Sequence, residues 1–363
     1  MFDSHAGIAH RSCCIVQLNW CQWAVSITCL ESIFRQDHRH FRVIWCDNNS
    51  PDGSVAHLVA WAEGMLDALP DSPPAIRELH WPPVPKPIPY DIVDGFEGRP
   101  SRLPREDAQL VIVRNGGNDG CAAGYNIGLR LSLALAPDYV WILNNDTVVR
   151  RDALTRLIER TARDPSVGMC GSTVLDFDEP DRIQAQAGAA FNFRWGTAEP
   201  ISYGRPRTGR APQDEVERRL DYVLGASMLI PRHVLEETGL MPLHFFMYFE
   251  EIAWAQHLPA RYRLAYAPAS EVFHRDTAPS DTPAEFYGSL RDSQMLGNRL
   301  VFAKIYRPGS VPFVVCGLLW ELFSAVATGK WARARMMLSW AFWRRASRET
   351  TPASRYCTNA ASG

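Results

Sequence analysis

The sequence has 363 residues, of which 46% are apolar, and a formal net charge of −2 at pH 7. A chain of this length can bury a sizeable core in one large domain with an appendage, or in two modest domains. Its near-neutral charge excludes the strong positive field of a polyanion-binding protein, so we expect no nucleic-acid partner.

Nine cysteines are scattered along the sequence, and only Cys13 and Cys14 are adjacent. Their spacing fits neither a zinc site nor a secreted disulfide framework, so reduced thiols in a cytoplasm are the simplest interpretation. Residues 1–13 contain no basic stretch followed by an apolar run, and we therefore expect no signal peptide.

In the first 165 residues, short apolar segments alternate with helical patterns. Strands are predicted over 13–18, 41–46, 109–113 and 139–143, and helices over 23–34, 55–69, 125–136 and 154–161. The proline-rich segment between them, 70–108, has no period and is predicted to be a surface insertion loop. The alternation indicates an α/β fold with a mostly parallel central sheet flanked by helices.

The second half of the chain is less regular. Strands are predicted over 167–175, 187–193, 222–230 and 263–267, and a helix runs from Pro231 to Gly239. Residues 281–350 are predicted to be a helical C-terminal region, and residues 351–363 a flexible tail.

The apolar run 311–327 is short for a membrane span and contains Pro312 and Glu321. The following residues mix tryptophans with arginines, which suits the interface of an anionic membrane. A packed helical hairpin explains the same pattern. We expect peripheral contact with the inner face of the plasma membrane.

Acidic and amide side chains follow two predicted strands. Asn144, Asn145 and Asp146 come directly after one, and Asp47 ends another. Ligands gather at the carboxyl ends of parallel strands, where Asp146 could hold Mg²⁺ or Mn²⁺ against a diphosphate and Asp47 could bind a nucleoside. Helix caps and turns favour the same residue types, so a structural role explains each cluster as well.

Three further features are chemically suggestive. The glycine-rich loop at 114–124 permits close approach of a phosphate or nucleoside, although it matches neither a dinucleotide-binding motif nor a P-loop. Glu250 and Glu251 lie in an aromatic segment, where burial would suit a general base, but a solvated helix start is equally consistent. His274 could be a metal ligand, whereas a lone histidine more often has a structural role.

Taken together, the order and spacing of these segments resemble glycosyltransferase family 2, specifically its rhamnosyltransferase-like members. The resemblance covers most of residues 13–275. The matching stretches are IVQLNW (15–20), CLESIFRQ (29–36), VIWCDNNSPDGS (43–54), RNGGNDGCAAGYNIGLR (114–130), DYVWILNNDTVV (138–149), GASMLIPRHVLEETGL (225–240), FFMYFEE (245–251) and AYAPASEVFH (265–274).

The resemblance implies a GT-A fold over residues 1–280 and assigns roles to individual residues. Glu251 falls at the position of the catalytic base, and Glu250 is assigned to the acceptor. Asp146 falls in the family's D-x-D motif as a ligand of Mg²⁺ or Mn²⁺, with His274 as a further ligand. Donor binding is assigned to Asn19, Asp47, Asn115, Gly124, Asn126, Asn144, Asn145, Gly225 and Ala226.

The implied reaction is an inverting transfer of a sugar, with rhamnose favoured, from a dTDP- or UDP-sugar to a glycan or lipid-linked acceptor of the cell envelope. Two positions depart from the family pattern. Glu251 replaces an Asp and keeps the carboxylate, whereas Ala253 replaces a second acidic residue, which puts full activity in doubt.

Two other functions are consistent with parts of the sequence. A catalytically weakened paralogue that only binds sugar nucleotides is supported by Ala253. An oxidoreductase that binds a nucleotide cofactor on a Rossmann sheet is disfavoured, because G-x-G-x-x-G is missing after the first strand.

Overall fold

A computed structural model describes residues 7–8, 10–68, 72–275 and 284–346 of the chain. The predicted tail at 351–363 and part of the N-terminal segment therefore lie outside the described residues. Within them the predicted strands and helices up to residue 162 are present, with additional short elements between residues 74 and 100 and at 147–149, and the described part ends in three consecutive helices.

The elements are numbered here in chain order. The strands are β1 Cys13–Asn19, β2 Phe41–Asp47, β3 Tyr90–Phe96, β4 Arg99–Pro100, β5 Leu110–Arg114, β6 Tyr139–Leu143, β7 Thr147–Val149, β8 Val167–Asp176, β9 Ile183–Gln186, β10 Gly188–Asn192, β11 Thr197–Pro200, β12 Tyr222–Val223, β13 Ser227–Pro231 and β14 Arg263–His274. The helices are α1 Trp23–Ile33, α2 Ser54–Glu63, α3 Pro74–Arg77, α4 Cys121–Leu135, α5 Ala153–Ala162, α6 Gln213–Arg219, α7 Arg232–Thr238, α8 Glu250–Ala255, α9 Ala284–Tyr306, α10 Val311–Ala327 and α11 Trp331–Ala346.

Within the described part of the chain, eleven strands form one sheet in the order β4-β3-β5-β2-β1-β6-β13-β8-β14-β7, with β9 paired to β8. From β3 to β6 all neighbours are parallel, whereas β13 joins β6 and β8 in antiparallel fashion. The first half of the sheet therefore has the predicted parallel arrangement, and the second half is mixed. A small antiparallel sheet, β11-β10-β12, accompanies it.

Two apolar layers cover the faces of the large sheet. One contains Ile15, Trp45 and Trp141 with helices α1, α2 and α5, and the other contains Val16, Ile44 and Ile142 with α4. Alternate residues of each strand thus enter opposite layers. Because both faces of the sheet are buried, its strands read as continuous apolar runs rather than as alternating ones.

The segment 70–108, predicted to be a proline-rich surface insertion loop, contains a strand of the large sheet in its second half. Tyr90–Phe96 forms strand β3, which pairs parallel to β5 and extends the sheet. The preceding prolines are tied to the core by the fully buried carboxylate of Glu31. It accepts hydrogen bonds from Trp61 Nε1 at 2.8 Å, from Val84 N at 2.6 Å and from Lys86 Nζ at 3.0 Å.

The strand predicted over 222–230 is also interrupted. Tyr222–Val223 belongs to the small sheet and Ser227–Pro231 to the large one. Gly225 and Ala226 lie between them, and this break brings their backbone to the edge of the candidate site.

Helix α10 lies largely on the surface. Among the described residues, the helical stretch Pro308–Ala327 is long and apolar enough to cross a membrane by length and composition, with a mean hydropathy of 1.8 and 11% of it buried. Glu321, in the middle of α10, pairs with Arg299 of α9 and Arg333 of α11. This ion-pair network joins all three C-terminal helices and turns the charged side of α10 towards its neighbours.

Candidate functional site

The carboxyl ends of β1 and β2 place Asn19 beside Asp47, because the two strands are parallel and these residues are in register. Asp47 is buried and accepts hydrogen bonds from Asn19 Nδ2 at 2.8 Å, from Ser50 Oγ at 2.6 Å and from Ser50 N at 2.9 Å. Asn145 donates to Asn19 Oδ1 at 3.1 Å and to Ser26 Oγ at 2.8 Å. The structure therefore brings three residues that were predicted to bind the sugar donor into one hydrogen-bonded cluster, which fixes the Asp47 carboxylate.

Asn115 extends this cluster from the end of β5. Its Nδ2 donates to Asn48 Oδ1 at 2.7 Å, and its buried Oδ1 has no hydrogen-bond partner among the described residues. A buried acceptor without a partner is costly, so this oxygen is suited to a donor group of a bound ligand.

Gly124 and Asn126 were predicted to bind the sugar donor, and in the structure both make contacts that support the fold. A Cβ on Gly124 would lie 2.4 Å from both Asn48 Oδ1 and Leu18 Cδ1, so this glycine lets α4 pack closely on the sheet. Both ends of the Asn126 amide are used by Met241, whose oxygen accepts from Nδ2 and whose nitrogen donates to Oδ1, each at 2.9 Å.

The turn between β6 and β7 carries Asn144 and Asp146, and β14 brings His274 to it by pairing with β7. His274 Nε2 lies 3.3 Å from both Asp146 Oδ1 and Asn144 Nδ2. The amide of Gln184 donates to the carbonyl oxygen of His274 at 2.8 Å, and its Oε1 lies 2.9 Å from His274 Nδ1. Nδ1 therefore carries the proton, and Nε2 is directed towards Asp146.

This arrangement fits a divalent cation shared with a diphosphate. A histidine ligand characteristically donates its second ring N–H to a neighbouring acceptor, as His274 does to Gln184. Among the described residues, no three His, Cys, Asp or Glu side chains are grouped so that they could hold a metal ion. Asp146 and His274 are thus a pair, and a magnesium-type site commonly completes its coordination with substrate phosphates and water.

Glu250 and Glu251 form the first turn of α8. Glu251 Oε1 accepts a hydrogen bond from Gly225 N at 3.0 Å, and a Cβ at Gly225 would lie 2.7 Å from that oxygen. Burial raises the pKa of Glu251, and the Gly225 hydrogen bond partly offsets the effect. Burial and the charge of Glu251 raise the pKa of Glu250 further, and Glu250 Oε2 has no hydrogen-bond partner among the described residues.

Tyr125 contacts the turn that carries Asp146. Its hydroxyl donates to Asn144 Oδ1 at 3.2 Å. Burial raises the pKa of the Tyr125 phenol, and the charges of Glu251 and Asp146 raise it further. The turn that carries Asp146 and the helix that carries Glu251 meet at adjacent residues, since Asn144 N donates to Ala226 O at 3.4 Å and Gly225 N donates to Glu251 Oε1.

Ala253 follows Glu251 by two residues in α8 and lies in an apolar cluster. It is fully buried among aromatic side chains that include Phe191, Phe249 and Phe302. The position at which the family has a second acidic residue is part of an apolar cluster in this chain.

Sequence reasoning missed Tyr125, Asn48 and Gln184. Tyr125 and Asn48 lie within matching stretches but had no distinguishing pattern, and Gln184 contacts His274 from 90 residues away. Only the fold brings these side chains to the site.

Comparison with known proteins identifies the family. The model of a family described as "Glycosyltransferase like family 2" matches residues 91–294, which is more than half of the chain. The chain belongs to this family. Its fold is the GT-A fold, and this membership argues against the alternative of a Rossmann-type oxidoreductase. No curated protein matches the sequence.

Solved structures similar to this family 2 glycosyltransferase chain include the mannosyltransferase PcManGT from Pyrobaculum calidifontis in complex with GDP-Man and Mn²⁺. Its TM-score is 0.50 at 14% identity, over 93% of this chain and 88% of that one. GalNAc-T7 with UDP, GalNAc and Mn²⁺ has a TM-score of 0.48 at 12% identity, over 78% and 51% of the chains. S. aureus TarS 1-349 has a TM-score of 0.45 at 9% identity, over 84% and 69%.

Proposed function

We propose that this family 2 glycosyltransferase is an inverting enzyme, which transfers a sugar from a nucleoside-diphosphate donor to an acceptor hydroxyl in cell-envelope or polysaccharide biosynthesis. The observation that carries the proposal is that the turn with Asp146 and the helix with Glu251, 105 residues apart in sequence, meet at two adjacent residues. Asn144 N donates to Ala226 O at 3.4 Å, and Glu251 Oε1 accepts from Gly225 N at 3.0 Å. The same site then offers the Asp146 carboxylate to a cation and the Glu251 carboxylate to a proton.

Glu251 is the proposed general base. The acceptor oxygen forms a bond to the anomeric carbon as the bond from that carbon to the diphosphate oxygen breaks, and the hydroxyl proton moves to Glu251. The Gly225 N–H holds one carboxylate oxygen at 3.0 Å, which leaves the other for the hydroxyl. Because burial raises the pKa of Glu251, its carboxylate is more basic than an exposed one.

Asp146 and His274 are the proposed holders of Mg²⁺ or Mn²⁺. When bound, the cation stabilises negative charge on the departing diphosphate. Gln184 and Asn144 orient the His274 ring, and Arg275 N donates to the Asp146 carbonyl oxygen at 3.0 Å, which fixes the turn.

The proposed nucleoside pocket lies between Asp47 and Asn115. The Asp47 carboxylate, oriented by Asn19 and Ser50, accepts hydrogen bonds from the base or ribose, and Asn115 Oδ1 accepts one more. The resemblance to rhamnosyltransferases favours dTDP-rhamnose as the donor, with UDP-sugars as alternatives. Asn144, Gly225 and Ala226 line the sugar, and Glu250 faces the acceptor.

A panel of dTDP-rhamnose, UDP-glucose, UDP-N-acetylglucosamine and GDP-mannose, each with Mn²⁺, tests the proposal through release of nucleoside diphosphate. Glu251→Gln and Asp146→Ala should each lower turnover by roughly 100-fold or more, since each removes a group that acts in the transition state. Glu251→Gln should still bind the donor, whereas Asp146→Ala should lose the dependence of binding on Mn²⁺.

Glu179→Gln serves as the control, because this carboxylate is exposed and, among the described residues, its ion pair is with Arg182 at the surface. Near-normal turnover in either site variant would refute the role assigned to that residue. Donor binding without any diphosphate release in the wild type, with acceptor glycans present, would favour the weakened paralogue that Ala253 suggests.

We also propose that the enzyme works at the inner face of the plasma membrane, on a glycan or lipid-linked acceptor. Large apolar side chains of α10 and α11 face solvent, with Leu319, Trp320, Phe323 and Trp331 all more than half exposed. Lys330, Arg333 and Arg335 are exposed beside them. Tryptophan rings next to cations suit an anionic lipid surface, and the pairing of Glu321 with Arg299 and Arg333 favours a helix that lies in the interface over one that spans it.

A further inference from the structure

The turn that precedes the proposed base has an unusual backbone. Tyr248 and Phe249 have φ angles of 63° and 75°, so two successive bulky residues adopt the left-handed conformation. This region is disfavoured for residues with a Cβ, and such a turn persists only where its surroundings hold it. Phe249 is also the residue from which α8 begins, so the turn sets the direction of the helix that carries Glu251.

One side chain from the C-terminal helices holds this turn. The Nδ2 of Asn298, on α9, donates to Met247 O at 2.8 Å and to Tyr248 O at 3.0 Å. The side-chain amide of Asn298 therefore uses both of its N–H groups on consecutive carbonyls of the strained turn. Asn298 is buried, so water does not readily replace these hydrogen bonds.

An apolar contact one helical turn further along α9 supports the same segment. Phe302 is fully buried, and its ring centroid lies 5.9 Å from that of Phe249. Residues four apart share one face of a helix, so α9 presents a hydrogen-bond donor and an aromatic ring side by side to the turn.

We propose that Asn298 is a positioning residue for Glu251. The inference rests on the proposed role of Glu251 as general base. Asn298 keeps the Met247–Phe249 turn in its left-handed conformation, and the turn fixes the first residues of α8 so that Glu251 Oε1 stays on Gly225 N. Without the amide, the turn relaxes towards ordinary backbone angles and the carboxylate moves away from its buried position.

Hydrogen–deuterium exchange of the full chain tests the structural step without a substrate. Asn298→Ala and the isosteric Asn298→Asp, which replaces the N–H donors by a carboxylate facing two carbonyls, should speed exchange of the amides at 247–255 by about 10-fold or more. Arg299→Met is the matched control. Its side chain contacts Trp195 O and Glu321 rather than the turn, so 247–255 should exchange as in the wild type. Unchanged exchange in Asn298→Ala, or an equal increase in Arg299→Met, would overturn the proposal.

Diphosphate release from the best donor of the panel tests the catalytic step. In Asn298→Ala, kcat should fall by roughly 10- to 100-fold, while the KM for the donor changes less than about 3-fold. The acidic limb of the pH profile should move to lower pH, because a less buried carboxylate has a lower pKa.

A merely structural role would lower the amount of folded enzyme and leave the pH profile in place, and that result would overturn the proposal. If the wild type releases no diphosphate from any donor, the proposed function fails, and the exchange experiment still decides whether Asn298 holds the turn.

Discussion

The burial of Glu250 in the candidate site is poorly compensated. Its pKa lies well above the ordinary value because of burial and of the neighbouring Glu251 charge, and its Oε2 has no hydrogen-bond partner among the described residues. Between the ordinary and the raised pKa, the folded chain holds a proton that the unfolded chain releases. Stability therefore falls as pH rises through this window and stays lower above it.

Replacement of this group should stabilise the protein. Glu250→Gln keeps the shape and cannot ionise, so above the window the free energy of unfolding should rise by about 1 kcal/mol or more, given that each pKa unit corresponds to about 1.4 kcal/mol. The measurement is the melting temperature of both proteins from roughly pH 4.5 to 8.5. The variant should melt at a higher temperature than the wild type at the higher pH values alone. Glu199→Gln, an exposed carboxylate, should show no such dependence. If Glu250→Gln were less stable than the wild type at roughly pH 8, Glu250 would be ionised and well solvated in the folded protein.

The residues that could be predicted from the sequence lie at the ends of strands. Asp47 ends one short apolar strand and Asp146 follows another, and parallel pairing then places them at one edge. Contacts between distant segments could not be predicted in this way. Asn298 reaches Met247 across 51 residues, and Gln184 reaches His274 across 90, with no local pattern to indicate either pair.

At the scale of the element, helix α4 packs against the sheet through glycines. A Cβ on Gly124 would lie 2.4 Å from Leu18 Cδ1, and one on Gly128 would lie 2.6 Å from Val16 Cγ1. These contacts make the glycines part of the packing between helix and sheet, whereas the sequence alone suggested that Gly124 admits the donor.

Substitution of the two glycines should separate these roles. Gly124→Ala and Gly128→Ala should each lower the free energy of unfolding in urea by about 1–3 kcal/mol, although alanine is the better helix former by about 1 kcal/mol. Similar losses in both variants would support packing. A Gly124→Ala protein as stable as the wild type, with donor binding lost, would restore the donor role.

The elements themselves were predicted where periodicity is strong. The buried parallel strands and helix α5 follow apolar runs or amphipathic spacing, and the structure contains them. Strand β3 was missed because it lies near the edge of the sheet, where only Val93 and Gly95 are buried and the sequence YDIVDGF shows no apolar run. The hydrogen bonds from Val84 and Lys86 to Glu31 fix the proline-rich segment before β3. They join residues more than 50 positions apart, so no local pattern indicates them.

At the scale of the whole molecule, the C-terminal helices have two faces. One carries Asn298, Phe302 and Arg299 towards Trp195 and the Met247–Phe249 turn, and the other exposes Trp320 and Phe323. The C-terminal helices therefore connect a proposed membrane surface to the turn that precedes the proposed base.

Flotation with vesicles tests the membrane contact. The full chain should float with phosphatidylcholine vesicles that contain phosphatidylserine, and less with phosphatidylcholine alone. Trp320→Ser combined with Phe323→Ser should weaken binding by roughly 10-fold or more, since each large apolar side chain contributes about 1.5–3 kcal/mol when it is buried. Phe96→Ser removes a similarly exposed ring from the β3–β4 hairpin, outside the C-terminal helices, and should leave flotation unchanged. Equal flotation of all three proteins would refute an interface at α10.

The most direct measurement is a crystal structure of the protein with dTDP and Mn²⁺, read through the anomalous signal of manganese. We expect a manganese peak about 2 Å from an Asp146 carboxylate oxygen and from His274 Nε2, with the diphosphate on its far side and the Glu251 carboxylate facing the same cavity. A manganese peak remote from Asp146, or a Glu251 side chain that opens onto a different surface from the nucleotide, would contradict this expectation.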